Sequence, residues 1–569
     1  MLNRRFLTIA ILFFLTLFAS CDGKKTLSKN TPLEEIAEDE QFSLVNPEGP
    51  AILTVFDTKN TYLGRFGSNQ VYVRLDYSSE DKLEGTYYVI DSVNLYLKPV
   101  AFCVTTEGNA YKWEGGDEDF FFETKYQTNK KRINGAFIQI EKHPRRAVSE
   151  IVYFDFQKYE TGKGKISSNR YKKKVFEVDC QQDVVYGHAI GPWTSLAVAE
   201  DEGIAKAVLP YLFKASATKN LALTMDVYTP RGDSLTKRPL VVLIHGGAFF
   251  FGDKHDKEMV AQCTHWASLG YVAVSLNYRM GFELSKASIQ RCGYKAIQDA
   301  HAAMRYLTHH ADKYGIDKEC MYIGGSSAGS ITAMNMVYMS NDNRPKSTTK
   351  KRFQGKYGSL YESGNDLKDE FKIKGLINMW GAVYELDEVS ANPLPTISFH
   401  GTADQVVPYD KGLPFSQLNG KKGKGQLSGV YFDEMYGSQK INEVLKSKGV
   451  HQEFYPLDSL GHAAWKDKDR KLNSVFYFIQ DKVTKFLYDD LVYDVRLKQQ
   501  DNTVFHVTTT EVKRAQWTLD GGIILRESPE EVEIRLLKDA PKYSLSVTGL
   551  LNNDAEFNQK INKFVTKSK

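Results

Sequence analysis

The chain has 569 residues, beyond the size at which one hydrophobic core keeps growing, so two or three domains are expected. Hydrophobic residues at 42%, charged residues at 25% and aromatics at 12% exclude a disordered chain. The net charge of +4, from 74 basic and 70 acidic side chains, leaves no electrostatic footprint for nucleic acid.

Residues 1–21 read as an export signal: Arg4 and Arg5 precede an apolar run over 6–18 that is too short to span a membrane, and Ala19-Ser20-Cys21 follows. Small residues directly before a cysteine resemble the bacterial lipobox, in which the cysteine is lipidated and becomes the mature N-terminus. The resemblance implies a lipid anchor on Cys21 and a place in the bacterial cell envelope, at the periplasm or the cell surface, with ordinary signal cleavage as the alternative. Residues 22–41 are polar and charged, as a linker should be. Five further cysteines leave at least one thiol unpaired. Cys103 with Cys180 is one candidate disulfide, and buried free thiols are the other reading. No close Cys/His spacing suggests a metal site.

Over 42–193 the pattern is β-like. Short runs at 51–56, 71–75, 136–140 and 151–156 are rich in β-branched and aromatic residues, separated by Gly, Asn, Asp and charged clusters. A β-rich accessory domain, a sandwich, is expected. From 194 to 491 the texture changes to strands alternating with amphipathic helices, the pattern of a mostly parallel sheet covered on both faces. Strands are expected at 239–244, 272–276, 321–323, 375–379, 396–399 and 452–456, with helices over 255–269 and 288–314, after Ser327 and over 475–487. Segments 340–370 and 411–429 look inserted and are expected as surface loops near the site, either able to form a lid. After residue 491 the chain is β-like again, with runs at 503–507 and 543–547, and a small terminal β module over 492–569 is expected. No internal repeat is visible, which argues against a propeller.

The strongest chemical signal is Gly325-Ser326-Ser327-Ala328-Gly329, placed between an expected strand and an expected helix. That context is what a nucleophile elbow requires, and Gly325 and Gly329 supply the small side chains that close strand-helix packing tolerates. A serine hydroxyl needs a base to take its proton and an acid to hold that base in one tautomer, so an acid and a histidine should follow in that order. Asp404 sits at the tip of a turn after strand 396–399. Asp410, Asp387 and Asp458 are the alternatives, none of them just past a strand. His462 falls after strand 452–456 and before the last helix, whereas His400, His265, His309 and His310 read as core or solvated residues. Acyl transfer also needs donors for an oxyanion, and His245-Gly246-Gly247-Ala248-Phe249 offers unobstructed amides at a strand end. Gly247 and Ala248, with Ala328, are the candidates.

Together these motifs resemble the carboxylesterase and lipase branch of the α/β-hydrolase superfamily. His245-Gly246-Gly247-Ala248 is similar to its HGGG element and Asn277-Tyr278-Arg279 to its NYR segment. Ile316-Asp317 and His400-Gly401-Thr402-Ala403-Asp404 match as well. The resemblance covers 194–491. It implies an α/β fold of the α/β-hydrolase type, carboxylic-ester substrates, small or polymer-borne, and no metal or organic cofactor; acetyl or feruloyl esters of polysaccharides are among the substrates of that branch. Two other readings compete: a peptidase of the prolyl-oligopeptidase kind, for which 150 residues without a repeat are too few to form a propeller, and a non-catalytic surface binding lipoprotein.

Overall fold

The computed structural model describes 168–197, 209–211, 214–349, 357–416, 431–467, 471–509, 511–536 and 543–562, together with the strand backbones between 61 and 158. Cys21, the export signal, the linker and the expected strand at 51–56 lie outside these residues. The contacts divide the chain into two units, one over Asn169–Leu491 and one formed by Ile36–Ser168 with Val492–Lys569.

In the second unit nine strands follow one another: β1 (Thr61–Phe66), β2 (Asn69–Ser78), β3 (Lys82–Val89), β4 (Lys98–Glu107), β5 (Ala110–Gly115), β6 (Glu118–Phe122), β7 (Gln127–Asn129), β8 (Arg132–Ile140) and β9 (Ser149–Lys158). Successive strands pair antiparallel except β6 and β7, β9 returns to β1, and β6 pairs with β8. Eight strands thereby close into a ring with β7 on its margin, which corrects the expected sandwich. The registers keep one set of positions on a common face around the ring. Val71 and Val73 pair with Val89 and Tyr87, Val104 with Trp113, and Gly135 with Phe154, so the apolar alternation of each strand agrees with that of the next. The C-terminal strands form two further sheets in the same unit, and the Ser168 amide donates to Glu556 Oε2 at 3.0 Å. The N-terminal and C-terminal β-rich regions thus fall in the same unit but keep separate sheets.

The first unit is built on an eight-stranded sheet. Its strands are β10 (Val178–Gly191), β11 (Lys219–Pro230), β12 (Arg238–Ile244), β13 (Val272–Leu276), β14 (Ile316–Ser326), β15 (Gly375–Met379), β17 (Thr396–Gly401) and β20 (Gln452–Leu457), with two-residue β16 (Ala382–Val383) outside it. The order is β10-β11-β13-β12-β14-β15-β17-β20, parallel from β13 onward and antiparallel at β10 and β11. β12, β13 and β15 are buried at every position, as a sheet covered on both faces demands. Helices α1 (Lys257–Leu269), α2 (Lys286–His309), α3 (Ala328–Tyr338), α4 (Leu386–Ala391), α5 (Ser438–Ser447) and α6 (Ser474–Leu491) cover it. Ile297, Ala300, Met304 and Leu307 of α2 are all buried, the stripe their spacing predicts. Gly270 ends α1 at φ 113°.

The boundary expected at 193/194 is wrong by one strand. β10 pairs with β11 over eleven residue pairs, so the hydrolase unit starts near Asn169. Five of the first seven positions of β10 are exposed, and nothing in such a pattern separates an edge strand of a mixed sheet from a strand of the preceding domain. Cys180, on that strand, is a free thiol, as are Cys263 and Cys292. Among the described residues no helix is long and apolar enough to cross a membrane.

Candidate active site

The chain reverses sharply between β14 and α3. Ser327 takes φ 54° and ψ −121°, a conformation costly for a side chain, and its amide is tied to the Met379 carbonyl at 2.8 Å. The turn exists because two flanking positions are empty. A Cβ on Gly325 would stand 2.4 Å from the Ile244 carbonyl oxygen, and one on Gly329 2.0 Å from the same atom. Ser327 Oγ lies 2.7 Å from His462 Nε2, and His462 Nδ1 lies 2.7 Å from Asp404 Oδ2. Three residues from the ends of β14, β17 and β20 thus form one hydrogen-bonded line at the carboxyl edge of the sheet. Asp404 Oδ1 accepts the amides of Val406 and Val407 at 2.8 and 3.0 Å. Burial opposes ionisation of this carboxyl, but the His462 imidazole and hydrogen bonds from His400 and His462 outweigh it and hold its pKa well below the usual carboxylate range. The rival Asp410 pairs instead with Lys440 and is more than half exposed.

Facing Ser327 is the turn after β12. Gly247, Ala248 and Phe249 have φ of 105°, 53° and 59°, and a Cβ on Gly247 would collide with the Phe251 carbonyl. Three successive residues with positive φ fold this segment into a tight turn beside Ser327. Ala248 and Ala328 line the same cavity as Ser327. Tyr278 secures the turn from behind, donating to the His245 carbonyl at 3.1 Å and stacking on its ring at 4.7 Å. Its neighbours have equally local tasks: Asn277 Oδ1 accepts the Lys254 amide at 2.7 Å, and Arg279 forms a buried ion pair with Asp299 of α2 at 2.7 Å. Lys466, on the His462 loop, pairs with Glu258 of α1 at 2.5 Å and fastens that loop to the rest of the site.

The family model described as BD-FAE matches residues 225–392, which hold the turn after β12 and the elbow. Carboxylesterase 3B of Mus musculus is 30% identical over 120 residues, 20% of this chain and 20% of the mouse protein. Acetyl esterase of Salmonella schwarzengrund is 28% identical over 21% of this chain and 38% of its own length. This unit has the α/β-hydrolase fold and is similar to the carboxylesterase branch. The chain spans well under two thirds of the length of either relative. Among solved structures, esterase 2 of Thermogutta terrifontis with propionate bound is 19% identical, with a TM-score of 0.32 over 47% of this chain and 90% of that one.

Beside Ser327 the α/β-hydrolase unit has an apolar cavity of about 50 Å³, walled by Phe249, Phe282, Ile331, Tyr384, Phe415 and Phe432 among others. Phe415 and Phe432 meet at 5.0 Å and stand on either side of segment 417–430, so the described ends of the second insertion do border the site. The described residues of the first insertion do not. Those after the undescribed 350–356 pack on α2 and the sheet edge, where Gln298 Nε2 donates to the Ser359 carbonyl at 2.9 Å and Arg305 Nη2 to that of Ser363 at 2.8 Å. Within the line itself the one participant the sequence did not single out is His400. This fully buried imidazole puts Nε2 3.2 Å from Asp404 Oδ2, and the clue was its place in His400-Gly401-Thr402-Ala403-Asp404.

Proposed function

We propose that the α/β-hydrolase unit is a serine carboxylic-ester hydrolase with Ser327 as nucleophile, His462 as general base and Asp404 as the acid that orients the base. The observation that carries this reading is the unbroken line Asp404–His462–Ser327 opening on an apolar cavity flanked by left-handed backbone. In this reading Ser327 Oγ attacks the ester carbonyl while His462 Nε2 takes its proton. The oxyanion that develops is met by the amides of Gly247, Ala248 and Ala328. His462 returns the proton to the leaving alkoxide, and water then repeats the sequence on the acyl-enzyme. Asp404 stays ionised throughout, supporting the imidazolium.

The cavity favours a short acyl group. About 50 Å³ holds roughly three or four waters, enough for an acetyl to butyryl chain, whereas a feruloyl ring would have to displace the aromatic walls. We therefore place acetyl ahead of feruloyl esters, carried on small molecules or on polysaccharide. We further propose that the chain is exported and held at the cell envelope through a lipid on Cys21. Labelled fatty acid would be incorporated into the wild type and not into Cys21→Ala.

Turnover of a short-chain aryl ester tests the activity. Ser327→Ala should lower kcat by about 10⁶-fold with the melting temperature unchanged, because only a hydroxyl is lost. Near-wild-type turnover by this variant would remove Ser327 from the mechanism.

A further inference from the structure

Asp404 is held from two sides, and the second side belongs to a buried chain of polar groups that can be read atom by atom. It begins at a donor with no ambiguity, the backbone N–H of Gly381, which donates to Asn378 Oδ1 at 3.0 Å. That contact fixes the orientation of the Asn378 amide, so Nδ2 is the group facing Ser438 Oγ at 3.0 Å. Ser438 accepts there, which leaves its own proton to donate. Its near acceptor is His400 Nδ1 at 2.7 Å; the Gly381 carbonyl, at 3.5 Å, is too far to compete. His400 Nδ1 is therefore bare, and the ring proton is on Nε2. The two atoms facing Nε2 accept only: Asp404 Oδ2 at 3.2 Å and the Val407 carbonyl at 3.2 Å. Each link confirms the next.

All of these side chains are buried, His400, Asn378 and Ser438 among them, and Asn378 Oδ1 also accepts from Ser330 Oγ at 2.7 Å. Ser330 lies one turn along α3 from Ser327. The chain of contacts thus joins the loop that carries Asp404 to the helix that carries the nucleophile. The Tyr409 ring, edge-on at 5.7 Å, faces the His400 imidazole as well.

We propose that His400 is a positioning residue for the catalytic acid: a neutral imidazole, held in its Nε2–H tautomer by Ser438 and Asn378, that fixes the Asp404 carboxylate against His462. The inference rests on the reading of Asp404 as the orienting acid. With Val406 and Val407 on Oδ1 and the two imidazoles on Oδ2, the carboxylate has no rotational freedom and no need of water. The neutral tautomer matters. A second imidazolium would cancel the charge that His462 needs when it takes the serine proton, whereas a neutral donor orients the carboxylate and leaves its charge in place.

The test is a comparison of His400→Phe and His400→Gln on a short-chain ester, with Asp404→Asn alongside. Phenylalanine keeps the volume and removes the donor; glutamine returns an amide N–H close to where Nε2 stood. A hydrogen bond to a charged group is worth roughly 1.5–3 kcal/mol, so His400→Phe should lose about 10- to 100-fold in kcat with KM little changed. The acid limb of its kcat/KM profile should move to higher pH, because the freed carboxylate draws the His462 proton more strongly. His400→Gln should recover most of the rate and return the limb. Loss in both variants with an unmoved limb would make His400 merely structural and overturn the proposal, as would wild-type kcat in His400→Phe. If His400→Phe does not fold, Ser438→Ala decides: it releases the tautomer without emptying space beside Asp404, and wild-type kcat with an unmoved limb there refutes the role. An active Asp404→Asn would instead show that the acid itself is misassigned.

Discussion

His301 lies on the buried side of α2, with the rings of Tyr361 and Phe371 at 4.9 and 5.7 Å. Burial, aided by the charge of Arg305, pushes its pKa down to about 3. His265 is pushed to about 4, chiefly by burial and then by Lys174. Below pH ~6.5 the unfolded chain takes up protons at these sites that the folded one refuses, so stability is lost as pH falls from ~6.5 toward 3. Asp404 acts in the same direction below its ordinary carboxylate range, since its folded pKa is depressed. The melting temperature should therefore drop steadily between pH 7 and 4. His301→Phe should flatten that slope, raising the melting temperature at pH 4.5 by ~3 °C or more relative to its effect at pH 8. A parallel slope in thermal melts would show that His301 does not set it. At this scale the elbow was legible because small residues two positions either side of a serine have one steric purpose. His400 was not, because its part depends on Ser438 and Asn378, which lie far away in the chain and carry no periodic signal.

Among elements, the central strands were legible as short apolar runs, since a strand covered on both faces cannot alternate. β10 and β11 escaped for the opposite reason: β10 has one wet face and β11 alternates, so they resemble the β-rich region before them. Helix α5 was missed, although it supplies Ser438, because its ten residues present only Ser438, Ile441 and Leu445 to the interior. The segment just before β19 (Met435–Gly437) carries Phe432, and Asp433 beside it is tied to Lys286 and Gln290 of α2 at 2.7 and 2.6 Å. This wall of the cavity is therefore braced. Phe432→Ala should enlarge it and shift the kcat/KM ratio of hexanoate to acetate esters upward by about tenfold or more, since each methylene in an apolar pocket is worth roughly 1–3 kcal/mol. An unchanged ratio across an acyl-length series would mean the acyl chain does not occupy this cavity.

For the whole molecule, the position of the unit boundary has a direct experimental meaning. Residues 169–491 contain every strand of the central sheet, whereas 194–491 lack β10 and the buried Val184, Tyr186 and Ala189 it contributes. The longer piece should be soluble and hydrolyse small esters at near full-length rates. The shorter one should melt well below it or precipitate, as circular dichroism and sedimentation would report; equal behaviour would put β10 outside the folded unit. Retained activity on a small ester with loss on an insoluble ester-bearing polymer would assign substrate targeting to the β-rich unit.

The first insertion, read from sequence as a possible lid, has a different consequence. The outer edge of β10 would present free backbone groups, yet the His188 amide donates to the Gly364 carbonyl at 2.7 Å and the Tyr186 carbonyl accepts from Asn365 Nδ2 at 2.8 Å. Gly364 stands so close to Gly187 that no side chain fits between them. The loop occupies the places a strand of another molecule would take, at the one margin of the sheet where the chain runs antiparallel and could most readily accept a hairpin partner. It covers that edge at Tyr186 and His188. Shortening it would leave turnover intact and appear instead as dimers and precipitate when the protein is concentrated.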